Sequence, residues 1–100
     1  MEKYRKLVRD KIPEILDQKG VPYEKTIADS EEYKDALIKK LLEETTDFAE
    51  AGDPEELADV LEVVAALRQL PDYQEVEKMR QAKVEARGAF QERIILAGEK

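Results

Sequence analysis

Hydrophobic positions recur at helical spacing along most of the chain, and capping signals divide this pattern into segments. The longest segment begins at Asp29 or Ser30 and ends at Gly52, a residue type that commonly terminates helices. The next begins at Asp53-Pro54, where proline takes the first helical position, and continues to about Leu70. The pattern therefore predicts two long helices joined by a tight turn.

Shorter segments flank this pair. We expect a first helix from Asp10 to Lys19, ended by Gly20, and a fourth that opens at Asp72–Glu75 and runs to Arg87 before Gly88. No internal repeat or linker divides the pattern, so residues 1–100 are expected to form a single domain.

The loop after the first helix resembles a short strand at Tyr23–Ile27, which could pair with the apolar Ile94–Leu96 near the end of the chain. The predicted fold class is therefore all-α, a four-helix bundle with a short β-hairpin formed by this loop and the carboxyl-terminal tail.

Composition limits the partners and the chemistry. The chain has 41% charged residues, a net charge of −7, no cysteine and no histidine. An acidic chain is a poor partner for a nucleic-acid polymer, because phosphate backbones are bound by excess Lys and Arg. Without Cys or His, thiolate and imidazole metal sites are excluded, and oxygen ligands remain.

Size and hydropathy indicate an oligomeric state and a cellular compartment for the chain. One hundred residues bury a modest core, so association into a homodimer or homotetramer is expected to supply the missing burial. Residues 1–20 are charged throughout, and the longest apolar run, Val63–Leu67, is too short to span a membrane. We expect a cytoplasmic homo-oligomer.

Two acidic motifs carry the candidate chemistry: Glu43-Glu44-x-x-Asp47 and Glu56-x-x-Asp59. In an antiparallel helical hairpin, Glu44 lies level with Asp59 and Asp47 with Glu56. Such a cluster needs a compensating cation, and carboxylate oxygens suit Mg²⁺ or Mn²⁺. The motifs therefore predict a metal site that supports attack on a phosphate chain.

Simpler explanations remain open for these acids. Acidic pairs three residues apart commonly belong to a solvated helix face. Glu56 stands third after the Asp53 cap, so it would also complete a capping box. Glu43 is turned away from Glu44 and fits three roles equally: a group that orients a metal ligand, a base that orients water, or a surface charge.

Basic residues form two groups that could clamp phosphates or simply pair with surplus acids. One comprises Lys6, Arg9 and Lys11, and the other comprises Arg80, Lys83 and Arg87. The aromatic residues are candidates to stack on a base, although most aromatics at helical spacing are core. They are Tyr4, Tyr23, Tyr33, Phe48, Tyr73 and Phe90.

The acidic motifs and both ends of the chain resemble the MazG-like all-α nucleoside triphosphate pyrophosphohydrolases, the superfamily of phosphoribosyl-ATP pyrophosphohydrolase and the dimeric dUTPases. The segments Lys6–Pro13 and Arg87–Ile94 are similar to those of its small, house-cleaning branch. The resemblance implies magnesium-dependent hydrolysis between the α and β phosphates, which yields a nucleoside monophosphate and pyrophosphate.

By the same resemblance, Glu44, Asp47, Glu56 and Asp59 are metal ligands, and the phosphate contacts are Lys6, Arg9, Lys83, Arg87 and Arg93. Asp47 stands where the family has a glutamate, so a water would bridge it to the metal if direct ligation fails. The alternatives are a noncatalytic helical interaction module and a nucleotide-binding regulator without turnover.

Overall fold

The computed structural model describes residues 5–99, which contain four α-helices, one 3₁₀ turn and no β-strand. The elements are α1 (Ile12–Lys19), α2 (Ser30–Ala51), α3 (Pro54–Arg68), the 3₁₀ turn (Pro71–Tyr73) and α4 (Val76–Arg87). The predicted all-α class and the four helices are confirmed. None of the described helices is both long and apolar enough to pass through a bilayer.

Local signals set the ends of the two long helices as predicted. Asp29 caps α2 by accepting a hydrogen bond from the Glu32 N–H, and Asp53 caps α3 by accepting one from the Glu56 N–H, each at 2.9 Å. Gly52 has φ of 66°, a left-handed conformation that glycine adopts without strain. The chain therefore reverses within two residues and lays α3 antiparallel to α2.

Among the described helices, only α2 and α3 form an extended interface with each other. Its centre is small: Leu37 is 3% exposed, Val63 is 8% exposed, and no other described residue is buried. The radius of gyration is 18.0 Å, against about 13 Å for a compact chain of this length. Leu57 and Leu61 of α3 are exposed in the single chain, which agrees with the small extent of this interface.

The start of α4 differs from the prediction. The helix was predicted to open at Asp72–Glu75, but the Asp72 carboxylate pairs with Lys34 of α2. The Gln74 side-chain amide donates to the carbonyls of Arg68, Gln69 and Leu70, at and just beyond the end of α3. These residues therefore finish α3, and α4 begins only at Val76.

The predicted β-hairpin is wrong for the chain as described, since residues 5–99 contain no strand. Arg93 has φ of 61°, which interrupts extended backbone just before the proposed strand at Ile94–Leu96. Ile95 is 93% exposed and Ile27 is 87% exposed, so neither segment has the packed face that a two-stranded ribbon needs.

An irregular segment, residues 5–11, is joined by ion pairs to both helices of the hairpin. The Arg5 guanidinium binds the Glu32 carboxylate of α2 at 2.6 Å, and the Arg9 guanidinium binds the Asp59 carboxylate of α3 at 2.8 Å. The contact of Arg9 with Asp59 therefore places this part of residues 5–11 beside the acidic part of the hairpin.

Candidate metal site

Three carboxylates from the two long helices meet near the turn between them. Glu44 lies on α2, and Glu56 and Asp59 lie on the first two turns of α3. Each offers one oxygen, and the three oxygens lie within 4.8 Å of one another. The Glu44 side chain is only 12% exposed, so this negative charge is held largely out of bulk water. The hairpin thus brings together three of the four predicted ligands.

Asp47 and Glu43 take other positions. Asp47 is exposed and is not one of the three clustered residues, although its charge acts on Glu56. The Glu43 carboxylate lies 3.5 Å from the Lys40 ammonium group. Glu43 therefore contacts the cluster through a lysine rather than joining it.

Two cations flank the cluster. The Arg9 guanidinium binds Asp59 at 2.8 Å, and the Lys40 ammonium group lies 3.4 Å from the Glu44 carboxylate. Arg9 was predicted to contact phosphate, and Lys40 was not among the predicted site residues. The signal for Lys40 was available, because a lysine four residues before Glu44 lies one turn away on the same helix face.

Glu44 and Asp59 of the cluster border an open cavity of about 460 Å³ between the hairpin and residues 7–11, which we call the α2–α3 cavity. Its walls include Glu44, Asp59, Lys40 and Arg9 beside apolar side chains of both helices. A second cavity of about 740 Å³ lies between residues 5–7, the loop before α2 and another face of α2. Lys6 and Glu43 line this second cavity.

The remaining predicted phosphate contacts lie elsewhere in the chain. Lys83 and Arg87 are exposed on α4, and Arg93 is exposed in the tail; none lines either of these two cavities. Within one chain, therefore, the structure brings only Arg9 of the five predicted contacts directly to the carboxylates.

The aromatic candidates separate in a similar way. Tyr33 lines the α2–α3 cavity, whereas the Tyr23 hydroxyl donates to Asp17 and the Tyr73 ring lies beneath Lys34. Phe48 is half-buried and Phe90 is 96% exposed. Tyr4 lies outside the described residues. Tyr33 is thus the one aromatic candidate among the described residues that lines the α2–α3 cavity.

The other acids near the cluster affect the pKa of Glu56. Partial burial raises the pKa of this carboxyl above its ordinary value of 4.5, and the charges of Asp53, Asp47, Asp59 and Glu44 raise it further. Glu56 does follow the Asp53 cap, as the capping explanation supposed, but its carboxylate also faces two others. Its ionised form is therefore disfavoured in the folded chain.

Replacing Glu56 with glutamine is expected to raise the free energy of unfolding of the metal-free chain at pH 7. Because the pKa of Glu56 is raised by folding, its contribution to stability is present below about pH 4.5 and is lost as the pH rises through the folded-state value. The increase in the free energy of unfolding caused by Glu56→Gln should therefore fall towards zero at pH 4. Urea titrations in a chelator at both pH values measure this difference.

The matched control is Glu55→Gln, which removes an exposed acid from the same first turn of α3. Both substitutions lose the same attraction to the helix amino terminus, so their difference isolates repulsion within the cluster. If both substitutions change the free energy of unfolding equally at pH 7, repulsion within the cluster does not destabilise the folded chain.

The donor set fits a hard divalent cation. Mg²⁺ takes oxygen ligands and is commonly held by one or two carboxylates together with substrate phosphates, and Mn²⁺ accepts the same donors. Glu44, Glu56 and Asp59 supply oxygens close enough to share one ion.

A scan against protein-family models matches no family, and searches of the curated proteins and of the solved structures find no match.

Proposed function

We propose that this chain is a magnesium-dependent nucleoside triphosphate pyrophosphohydrolase of the MazG-like all-α type. It hydrolyses the bond between the α and β phosphates and releases a nucleoside monophosphate and pyrophosphate, as a cytoplasmic enzyme that clears unwanted nucleotides. The observation that carries the proposal is the group of three carboxylate oxygens within 4.8 Å, bordered by two cations and an open cavity.

In this proposal each residue near the cluster has a defined task. Glu44, Glu56 and Asp59 hold Mg²⁺, and Asp47 acts through a bridging water. A bound Mg²⁺ supplies Lewis-acid charge to the phosphate oxygens and favours ionisation of the attacking water. Water oxygen would add to phosphorus as the bridging P–O bond breaks, the proton of the water would pass to solvent, and pyrophosphate would leave with the bonding electrons.

The neighbouring cations stabilise the charge that develops on the leaving pyrophosphate. Arg9 and Lys40 can exchange a carboxylate partner for a phosphate oxygen, because both side chains border the cavity. Glu43 then positions Lys40 through their contact of 3.5 Å. Lys6 contacts phosphate from the second cavity, whereas Lys83, Arg87 and Arg93 would reach substrate from a neighbouring copy.

A second copy of the chain is part of the proposal. The outer face of the α2–α3 hairpin carries four exposed apolar side chains: Ile38, Leu42, Leu57 and Leu61. Two hairpins that bury these faces against each other would form a four-helix arrangement with an enlarged core. This arrangement also explains why so little of the single chain is buried.

Light scattering after size-exclusion chromatography is expected to give a mass at least twice the 11.5 kDa of one chain. Leu61→Glu should shift this mass towards the monomer, because it places a charge in the apolar contact. Met79→Glu, at an exposed apolar position of α4, is the matched control and should leave the mass unchanged. A monomeric wild-type chain at every concentration would contradict the proposed assembly.

Pyrophosphate release from a panel of standard and damaged nucleoside triphosphates tests the activity directly. We expect release with Mg²⁺ and none with a chelator, and phosphorus NMR should show a monophosphate and pyrophosphate in equal amounts. Orthophosphate as the first product would indicate cleavage at another bond. No release from any nucleotide would exclude the enzyme.

The exposed apolar face also favours a second candidate function, a noncatalytic helical interaction module. In that case the acids would form a solubilising rim around a docking surface. A nucleotide-binding regulator is the intermediate alternative, since it would bind nucleotides without turnover. Pyrophosphate release from the nucleotide panel distinguishes an enzyme from both the interaction module and the regulator.

A further inference from the structure

Residues 5–11, which we call the strap, cross the hairpin without belonging to any helix. Leu7 of the strap lines both the α2–α3 cavity and the second cavity, so the strap lies between the two. Among the described residues, its backbone makes no hydrogen bond to α2 or α3. The ion pairs of Arg5 and Arg9 are therefore its polar attachments to the hairpin.

The two attachments reach different parts of the hairpin. Arg5 binds Glu32 in the first turn of α2, about 18 Å from Glu44 along the helix. Arg9 binds Asp59, one of the three clustered carboxylates. Only the second attachment therefore involves the candidate metal site.

Opposite charges hold the strap against the cavity wall. The strap contains four basic residues and one acid, in the order Arg5, Lys6, Arg9, Asp10 and Lys11. Its last three residues line the α2–α3 cavity together with the acids Glu44, Asp59 and Glu62 of the two helices. The strap thus brings net positive charge to an acidic wall, and this attraction depends on the wall remaining negative.

A divalent cation bound to the cluster would compete with Arg9 for Asp59. The carboxylate that accepts the Arg9 guanidinium at 2.8 Å also offers an oxygen to the cluster, so two positive charges would share one carboxylate and repel each other. Lys40 also neutralises the cluster, but its place one turn before Glu44 on α2 keeps it there. Arg9 belongs to an irregular segment and is the cation that is free to leave.

We infer that the strap is released by the metal: Arg9 holds it on Asp59 while the cluster lacks a divalent cation and leaves when the ion binds. The inference rests on the metal site of the proposed function. It adds an order of events, because Arg9 becomes available to phosphate only after the ion has taken its place. Linked equilibria are reciprocal, so the attached strap must weaken metal binding by the factor by which the metal weakens the attachment.

Manganese binding in the absence of nucleotide tests the competition. Electron paramagnetic resonance of free Mn²⁺ gives the dissociation constant for each variant. Arg9→Gln removes the competing charge and should tighten Mn²⁺ binding about tenfold, a usual size for coupling between two binding events. Arg9→Lys keeps the charge and should bind Mn²⁺ nearly as the wild type does.

Arg5→Gln is the matched control, because it removes the same charge from the strap at the distant attachment. It should change the Mn²⁺ dissociation constant by about twofold at most, since salt screens exposed charges beyond about 8 Å. Circular dichroism verifies that each variant is folded.

A spin label tests the release of the strap in the presence of wild-type Arg9. The chain has no cysteine, so Val8→Cys provides one labelling site on the strap. Mg²⁺ should increase the mobile fraction of the label spectrum, with a midpoint at the Mg²⁺ dissociation constant, whereas NaCl at the same ionic strength should not. With Arg9→Gln in addition, the label should be mobile without Mg²⁺. A label at Glu85→Cys, exposed on α4, should be unchanged throughout.

Four results would overturn the release: equal Mn²⁺ affinity in Arg9→Gln and Arg5→Gln, weaker binding in Arg9→Gln, no Mn²⁺ binding by the wild type, or a Val8→Cys label that ignores Mg²⁺. Failure of the proposed activity is distinguishable. Tighter Mn²⁺ binding in Arg9→Gln and a label that responds to Mg²⁺, without hydrolysis of any nucleotide, support the release and exclude the enzyme. Hydrolysis together with unchanged Mn²⁺ affinity in Arg9→Gln supports the enzyme and excludes the release.

Discussion

Asp59→Asn is expected to lower magnesium-dependent pyrophosphate release by about a hundredfold or more. The amide keeps the size of the side chain but removes one of the three charges that would hold the ion, and it weakens the contact with Arg9. Charge stabilisation by a bound metal is worth several kcal/mol, and about 1.4 kcal/mol corresponds to a tenfold change in rate. Initial rates at saturating nucleotide and Mg²⁺ measure the loss.

Two further variants separate loss of the site from general damage. Glu56→Gln should lose turnover to a similar degree while its metal-free form becomes more stable at pH 7, so the two effects have opposite directions. Glu55→Gln removes an exposed acid one position earlier and should retain wild-type turnover. Full activity of folded Asp59→Asn would show that this carboxylate is not a ligand.

Mg²⁺ is expected to stabilise the folded chain by about 2.7 kcal/mol when its concentration is about a hundred times the dissociation constant. Binding relieves repulsion among Glu44, Glu56 and Asp59, which come together only in the folded hairpin. For a chain of this size, the midpoint of thermal unfolding should rise by about 10 °C or more. Thermal melts followed by circular dichroism, at fixed protein concentration, measure the shift.

Ordinary salt effects are the main competing cause of such a shift, because the chain has a net charge of −7. The control melt therefore contains NaCl at the same ionic strength, and Glu56→Gln provides the matched protein control. We expect most of the shift to disappear in that variant while Glu55→Gln keeps it. Equal shifts with Mg²⁺ and NaCl would identify a solvated acidic surface instead.

The two long helices could be predicted from sequence because local chemistry determines their ends. Asp29 and Asp53 cap the helices, and Gly52 takes a left-handed conformation at the turn. These signals act within three or four residues, so they need no knowledge of the tertiary fold. The register of the hairpin follows from the same turn, which explains why Glu44 and Asp59 were correctly expected to lie level.

The predictions that failed depended on contacts distant in sequence. Asp72 has the residue type of a helix cap, but Lys34 of α2 takes its carboxylate. Ile94–Leu96 has an apolar strand pattern, but a strand forms only with a partner, and no described segment pairs with it. Single-sequence patterns carry no information about such partners.

The candidate site was predicted in part. The motifs identified the three clustered acids but placed Asp47 with them, because helical spacing sets which face a residue occupies and not how far its shorter side chain reaches. Lys40 was not predicted, because a lysine beside acids on one helix face commonly forms only a solvated ion pair, whereas this one borders the cluster. The contact between Arg9 and Asp59 joins residues fifty positions apart, so spacing alone could not reveal it.

Anomalous diffraction from crystals grown with Mn²⁺ tests the central claim most directly. The account predicts an anomalous peak bounded by the carboxylates of Glu44, Glu56 and Asp59, with manganese–oxygen distances typical of direct ligation. Density that shows these oxygens bonded only to Arg9, Lys40 and water, with no peak between the helices, would contradict it.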